Sequence, residues 1–128
     1  MSAKFCATLE GVCKALGWHL EDDAIEARFE NGRRQELSYR FFEFDGQELV
    51  RFDTVIGDAS LVNPARLTQG LRVTYKLPHG ALALKDDSLV MVDTLLVDDD
   101  AAAVEAIVRY LAETADHLEL TMFGGDEH

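Results

Sequence analysis

The sequence has only two cysteines in 128 residues, and so few exclude a protein held together by a disulfide framework. Cys6 and Cys13 lie seven positions apart in a segment with helical periodicity, which places them about 10 Å apart along a helix axis. A disulfide requires a shorter separation, so the two residues cannot bridge one another on that helix. We expect both thiols to be small buried groups in a protein of a reducing compartment.

Long apolar runs are also missing. No segment approaches the roughly 18 apolar residues that a membrane-spanning helix needs. The first four residues, Met-Ser-Ala-Lys, do not begin the apolar core of a secretory signal. We therefore expect a cytoplasmic protein with no membrane partner.

Basic residues are the third deficit. Twelve Lys and Arg stand against 24 Asp and Glu, which gives a formal net charge of −12. Such a charge repels phosphate backbones and anionic lipids, so we expect no nucleic-acid partner. The one basic pair, Arg33-Arg34, follows a turn and is interpreted as solvated surface charge. Two uses of the acidity remain open, namely solubility and attraction of a basic partner.

Motifs for catalysis, cofactors and metals are absent as well. No glycine-rich phosphate loop occurs, and Asp98-Asp99-Asp100 lacks the alternating ligands and the glycine of a calcium loop. The four histidines are His19, His79, His117 and His128. They are too far apart in the sequence to match a zinc-binding motif. We predict no cofactor, no metal site and no catalytic residue.

One pair of carboxylates keeps an enzymatic alternative open. Asp53 and Asp93 each lie midway along a predicted strand. If those strands were neighbours, the two side chains could share a proton as an acid/base pair in a cleft. The competing interpretation is that both residues are polar positions on a solvated sheet face.

The periodicity predicts an α+β protein, a single domain over residues 1–128. The element order is helix, three strands, helix, two strands, helix, with an antiparallel sheet of about five strands packed by the first and last helices. The closing helix has the strongest apolar stripe, formed by Val104, Ile107, Val108, Leu111, Ala115, Leu118 and Met122. The predicted segments are residues 2–16, 25–30, 34–44, 48–56, 64–75, 81–85, 88–96 and a last helix between Asp100 and Gly124.

Several local residues set the predicted boundaries. Ser2 and Asn63 are suitable N-caps, and Gly17 and Gly124-Gly125 are suitable helix stops. Asn31-Gly32 and Asp45-Gly46 are typical of tight turns between antiparallel strands. Both pairs support a meander of the first three strands.

The middle helix is intrinsically weak. It contains Gly70 and the β-branched pair Val73-Thr74, and its apolar residues form a narrow stripe at four-residue spacing, Leu67, Leu71 and Tyr75. A helix of this kind needs a neighbour to hold it, in its own domain or in a second copy of the chain.

The second face of the sheet is the predicted working surface. Alternation places on it the apolar residues Leu49, Val55, Leu89, Met91 and Leu95, together with the charged residues Arg51, Asp53 and Asp93. Either this apolar patch binds a partner, or the middle helix folds over it.

The run from Leu71 to Gly80, with Leu82-Ala83-Leu84, residues 89–96 and residues 110–116, resembles the YbjN family and the related class I type III secretion chaperones. The resemblance implies a small acidic homodimer that binds another polypeptide without catalysis. It makes Leu67, Leu71 and Tyr75 candidates for the dimer interface. It makes Leu49, Val55, Met91 and Leu95 candidates for client binding.

Overall fold

The computed structural model describes residues 3–123 of the chain. These residues form three α-helices, a short 3₁₀ helix (Ala59–Leu61) and six strands in one antiparallel sheet, so the predicted α+β layout is confirmed. The helices are α1 (Ala3–Leu16), α2 (Pro64–Tyr75) and α3 (Ala101–Met122). The strands are β1 (His19–Leu20), β2 (Ala24–Arg28), β3 (Arg34–Phe44), β4 (Gln47–Asp58), β5 (Ala81–Lys85) and β6 (Ser88–Leu96).

Across the sheet the strands follow the order β1-β2-β3-β4-β6-β5. The first four form a meander, and β6 then pairs with β4 while β5 lies at the edge. Strand β1 was not expected, because two residues are too short to show an alternating pattern. It lies just before the acidic turn Glu21-Asp22-Asp23. In the ladder with β2, His19 pairs with Glu26 and Leu20 with Ile25.

Asn63, Gly17 and Asp45-Gly46 act as expected, whereas the turn at Asn31-Gly32 spans residues 29–33 and only Gly32 in it has a positive φ. The Asn63 side chain accepts hydrogen bonds from the Ala65 and Arg66 backbone amides, and this caps α2. Gly17 ends α1 with a φ of 75°, a left-handed conformation that favours glycine. Asp45 and Gly46 both have positive φ, as a two-residue type I′ hairpin requires. The Ser2 cap and the Gly124-Gly125 stop lie outside the described residues.

The core lies between the sheet and one layer formed by α1 and α3. The Phe5 ring of α1 packs edge-on against Phe41 of β3, with 5.8 Å between ring centroids, and against Phe52 of β4. On α3, the predicted stripe is buried along its length, with Val104, Val108, Leu111 and Ala115 fully inaccessible. Burial of this stripe against the sheet fixes α3 in place.

Helix α2 packs in the same layer as the other helices. A Cβ atom at Gly70 would lie 3.0 Å from Met122 Cε of α3 and 3.2 Å from Leu82 Cδ1 of β5. The close approach shows that α2 lies against the end of α3 and the edge strand. In the described part of the chain, α2 therefore does not fold over the second face of the sheet.

Candidate functional site

The sheet face opposite the helices has no helix over it in the described part of the chain. We call it the outer sheet face and define it by strand register, since directly paired residues point to the same side. Its members are His19, Ala24, Glu26, Arg28, Arg34, Glu36, Ser38, Arg40, Phe42, Phe44, Gln47, Leu49, Arg51, Asp53, Val55, Asp58, Ala81, Ala83, Lys85, Ser88, Val90, Val92, Thr94 and Leu96.

Two predicted client-binding residues lie on this face. Val55 is 51% exposed, and Leu49 is half-buried beside Leu96 in the β4–β6 ladder. These apolar groups lie on either side of the charged positions Arg51 and Asp53 of the same strand. The outer sheet face thus has the mixed apolar and charged character predicted for a partner surface.

The other two predicted client-binding residues lie in the core. Met91 pairs with Thr54 and Leu95 pairs with Val50, on the side of the sheet that carries the helices. Met91 is fully buried and Leu95 is 5% exposed. Placing Met91, Leu95 and Leu89 on the face of Leu49 and Val55 was wrong. Both faces of β6 are apolar. The sequence pattern of β6 therefore does not show which of its residues lie on the same side of the sheet as Leu49 and Val55 of β4.

The same register separates the two carboxylates of the enzymatic alternative. Strands β4 and β6 are neighbours, but Asp93 pairs with Phe52 on the core side while Asp53 belongs to the outer sheet face. Asp53 accepts two hydrogen bonds of 3.2 Å from Lys85 Nζ, and Asp93 Oδ1 accepts one from the Thr94 backbone amide. The two carboxylates lie on opposite sides of the sheet and cannot share a proton, so the acid/base alternative is excluded.

Charge on the outer sheet face runs against that of the chain. The face carries five basic side chains (Arg or Lys) and four acidic ones, although the whole chain has a net charge of −12. Arg28 and Arg34 both bind Glu26, and the hydrogen bond from Arg28 lowers the pKa of that carboxyl. Lys85 is paired with Asp53.

Two arginines at the centre of this face differ from the other three basic residues. Arg40 of β3 and Arg51 of β4 are directly paired across the ladder. The Arg51 guanidinium carbon lies 4.3 Å from the centroid of the Phe42 ring, a cation–π contact. Among residues 3–123 neither arginine forms an ion pair with a carboxylate. Both arginines line a depression of about 310 Å³.

The predicted dimer residues of α2 are exposed to different degrees. Tyr75 is 88% and Leu71 50% exposed, and both line a shallow hollow with Thr68, Arg72 and Lys76. Leu67 is half-buried and packs against the core instead. The exposed stripe of α2 is thus shorter than the sequence pattern suggested.

Sequence reasoning misjudged Arg33. The Arg33 Nε atom donates a 2.7 Å hydrogen bond to Asp116 Oδ1 on α3, and Glu119 lies 3.8 Å from the same guanidinium. Arg33 therefore fastens the β2–β3 turn to α3 and is not free solvated charge. Burial raises the pKa of the Glu119 carboxyl, with a smaller opposing effect from Arg33.

A cleft between α2 and α3 was not predicted. It has a volume of about 270 Å³, and its lining includes Gly70, Val73, His117 and Met122. Only Gly70, as an unusual residue within a helix, pointed to a close approach at this place. His117 of α3 is one of the cleft's lining residues.

Within residues 3–123 no group of three or more His, Cys, Asp or Glu side chains is arranged to hold a metal ion. None of the described helices is both long enough and apolar enough to cross a bilayer.

Comparison with known proteins shows similarity at the level of structure alone. No family model and no curated protein sequence matches the chain. A chain of the HopA1–SchA chaperone–effector complex is 11% identical with a TM-score of 0.59, covering 90% of this chain and 92% of its own length. The Yersinia pestis type III secretion chaperone SycH, in complex with a fragment of YscM2, is 18% identical with a TM-score of 0.56, covering 89% and 98%.

A third match comes from the heterodimeric ExoU–SpcU complex of the Pseudomonas aeruginosa type III secretion system. It is 19% identical with a TM-score of 0.58, covering 90% of this chain and 98% of its own length. The fold is that of the secretion chaperones. This confirms the fold that the sequence resemblance implied. YbjN from E. coli also aligns, over 90% of this chain, at 18% identity and a TM-score of 0.48, and no argument rests on that weaker likeness.

Proposed function

We propose that the protein is a non-catalytic, chaperone-like module that binds a polypeptide client on the outer sheet face. The observation that carries the proposal is the uncovered sheet itself. A β-sheet face with exposed apolar side chains, such as Val55 and Leu96, is normally buried by a helix layer or by a partner. In this chain every described helix lies on the opposite side.

The structural neighbours support this proposal. SycH was crystallised with a fragment of YscM2, and the SchA structure is a chaperone–effector complex. A shared fold does not transfer a partner, so the client of this chain is inferred only as a class, a polypeptide. The cytoplasm suits such a module, because both described cysteines are free thiols.

We further propose that the protein is a homodimer that uses the exposed end of α2, Leu71 and Tyr75. These two large apolar side chains lie one helix turn apart and are both exposed. Exposed apolar patches, and aromatic residues in particular, are typical of interfaces between subunits. The weak intrinsic helicity of α2 fits this role, because a second copy would stabilise it.

The client proposal is tested with Val55→Asp. The protein is used to capture binding proteins from its native cell, and each is identified by mass spectrometry and then made pure. We expect wild type to bind one such client directly, and Val55→Asp to weaken that binding at least tenfold, since a buried unpaired charge is costly.

The matched control is Leu120→Asp, which places the same charge on a 37% exposed position of α3, in the helix layer. This variant should bind the client like wild type. Equal binding by Val55→Asp and wild type would place the client elsewhere and remove the proposed site.

No observation favours the enzymatic alternative. The Asp53 carboxylate accepts a hydrogen bond from Lys85 Nζ, and Asp93 lies on the opposite side of the sheet.

A further inference from the structure

The most unusual feature of the outer sheet face is the pair formed by Arg40 and Arg51. Like charges directly opposite each other in an antiparallel ladder destabilise a sheet. The chain has 24 acidic residues, twice its basic ones, and yet none of those described pairs with either arginine. Two cations kept side by side without a carboxylate form a site for an external anion.

The surroundings of the two arginines indicate what carries that anion. Two residues along each strand from the arginine pair lies an apolar row, Phe42, Leu49 and Leu96. On the other side of the pair comes a row that contains Ser38, Asp53 and Val92. The next row holds Val55 as its exposed apolar side chain, between the exposed Glu36 and the buried Val90. Successive rows are about 6.7 Å apart, the repeat of same-side residues in any extended chain.

The outer sheet face thus offers four steps to an extended segment laid along its strands: apolar, cationic, neutral and apolar. The third step is neutral because the Asp53 carboxylate is already bound by Lys85, whose side chain must cross β6 to reach it. A free phosphate or a nucleotide would use the cationic step alone and leave both apolar steps uncovered. A polypeptide with one carboxylate between apolar residues would use all four.

We propose that the outer sheet face selects an acidic, extended client segment, with an apolar residue at position i, Asp or Glu at i+2, a small polar residue at i+4 and an apolar residue at i+6. The client carboxylate binds between the Arg40 and Arg51 guanidinium groups. The flanking side chains cover the row of Phe42, Leu49 and Leu96 on one side and the exposed Val55 on the other. This inference rests on the proposed function, since it specifies the chemistry of the client that this surface binds.

The probe is a capped peptide with Leu, Glu, Thr and Leu at those four positions and Ser between them. Its affinity is measured by fluorescence anisotropy beside two peptides that carry Gln or Lys in place of Glu. We expect the Glu peptide to bind about tenfold more tightly than the Gln peptide, and the Lys peptide to bind least. The preference for Glu should shrink as salt is raised.

The protein variant is the double substitution Arg40→Gln and Arg51→Gln. It should bind Glu and Gln peptides equally, because the positive charge that distinguishes between them is gone. The matched control is Lys14→Gln with Arg109→Gln, which changes the net charge equally but lies on α1 and α3. The control should keep the preference for Glu.

The outcomes separate this inference from the proposed function. If Glu and Gln peptides bind alike and Val55→Asp abolishes both, the face binds polypeptides but the acidic preference is wrong. If the peptides fail to bind while inorganic phosphate shifts the Arg40 and Arg51 side-chain NMR signals, the arginine pair is a small-anion site and the inference is overturned. If neither peptides nor phosphate bind, the arginine pair has no ligand role and the inference also fails.

Discussion

At the scale of single residues, the informative contacts are those that connect distant parts of the chain. Arg33 and Asp116 are 83 positions apart, and their pair is partly shielded, with 35% and 14% of the side chains exposed. A sequence pattern could not reveal this contact, because two adjacent arginines after a turn look the same whether they are solvated or paired. Arg34, its neighbour, binds the exposed Glu26 on the outer sheet face.

The contribution of the shielded pair is measured with Asp116→Asn. We expect the free energy of unfolding to fall by about 1–3 kcal/mol, because Arg33 loses a charged partner in a partly desolvated place. Urea denaturation checks this value. The control is Glu105→Gln, which removes the exposed pair to Arg109 at 4.0 Å and should change stability by less than about 0.5 kcal/mol. Equal losses of unfolding free energy in the two variants would show that the Arg33–Asp116 pair stabilises the fold no more than an exposed ion pair does.

Glu119 gives a prediction about pH. Burial raises the pKa of its carboxyl in the folded protein, so the folded state holds the proton more tightly than the unfolded state does. This contribution to stability is full below the unfolded pKa of about 4.3 and is lost as pH rises through the folded value. Glu119→Gln, which stays neutral, should therefore raise the melting temperature at pH 7 and not at pH 4. A shift of the same size at both pH values would contradict burial of the ionised carboxyl as the cause.

At the scale of elements, the long segments were predictable and their pairing was not. Each strand of five residues or more, and each helix, had a period or a turn residue that marked it, whereas β1 had only His19 and Leu20. The failure at β6 has a physical cause. No hairpin turn links β4 to β6, since α2 and β5 lie between them, so no local residue fixes their register. Val90, Met91 and the neighbouring Leu89 are all buried, which hides the alternation.

Two glycines within helices test how α2 is held. A Cβ atom added at Gly11 of α1 would have nothing within 4 Å, whereas one added at Gly70 of α2 would meet Met122 and Leu82. Gly11→Ala should stabilise the protein by about 0.5–1 kcal/mol through helix propensity alone. Gly70→Leu should destabilise it by about 1–3 kcal/mol, because the added atoms push α2 away from α3. Thermal unfolding of both variants checks the pair, and a stable Gly70→Leu protein would mean that α2 is not anchored there.

At the scale of the whole molecule, the surfaces divide into a helix layer and an open sheet, and the acidic charge is not spread evenly. The outer sheet face carries an excess of basic groups within a chain of net charge −12. Two copies of so acidic a chain repel each other, so the proposed dimer requires apolar contact. Leu71 and Tyr75, both exposed on α2, are the residues proposed for that contact.

The dimer is tested by sedimentation equilibrium. We expect wild type to sediment with twice the chain mass of 14.2 kDa, and Leu71→Asp with Tyr75→Asp to sediment as a monomer. Leu120→Asp serves as the control and should remain dimeric, since it lies on α3. A wild-type protein that stays monomeric at high concentration would refute the proposed interface.

The position of β6 between β4 and β5 also bears on how the protein is made. During synthesis the first four strands emerge before β6, so the twelve-residue strand β4 presents one complete unpaired edge until residues 88–96 follow. An exposed edge of that length is a template for pairing with other nascent chains. A stalled or truncated product that ends before Ser88 would keep this edge unpaired and would therefore tend to aggregate through it.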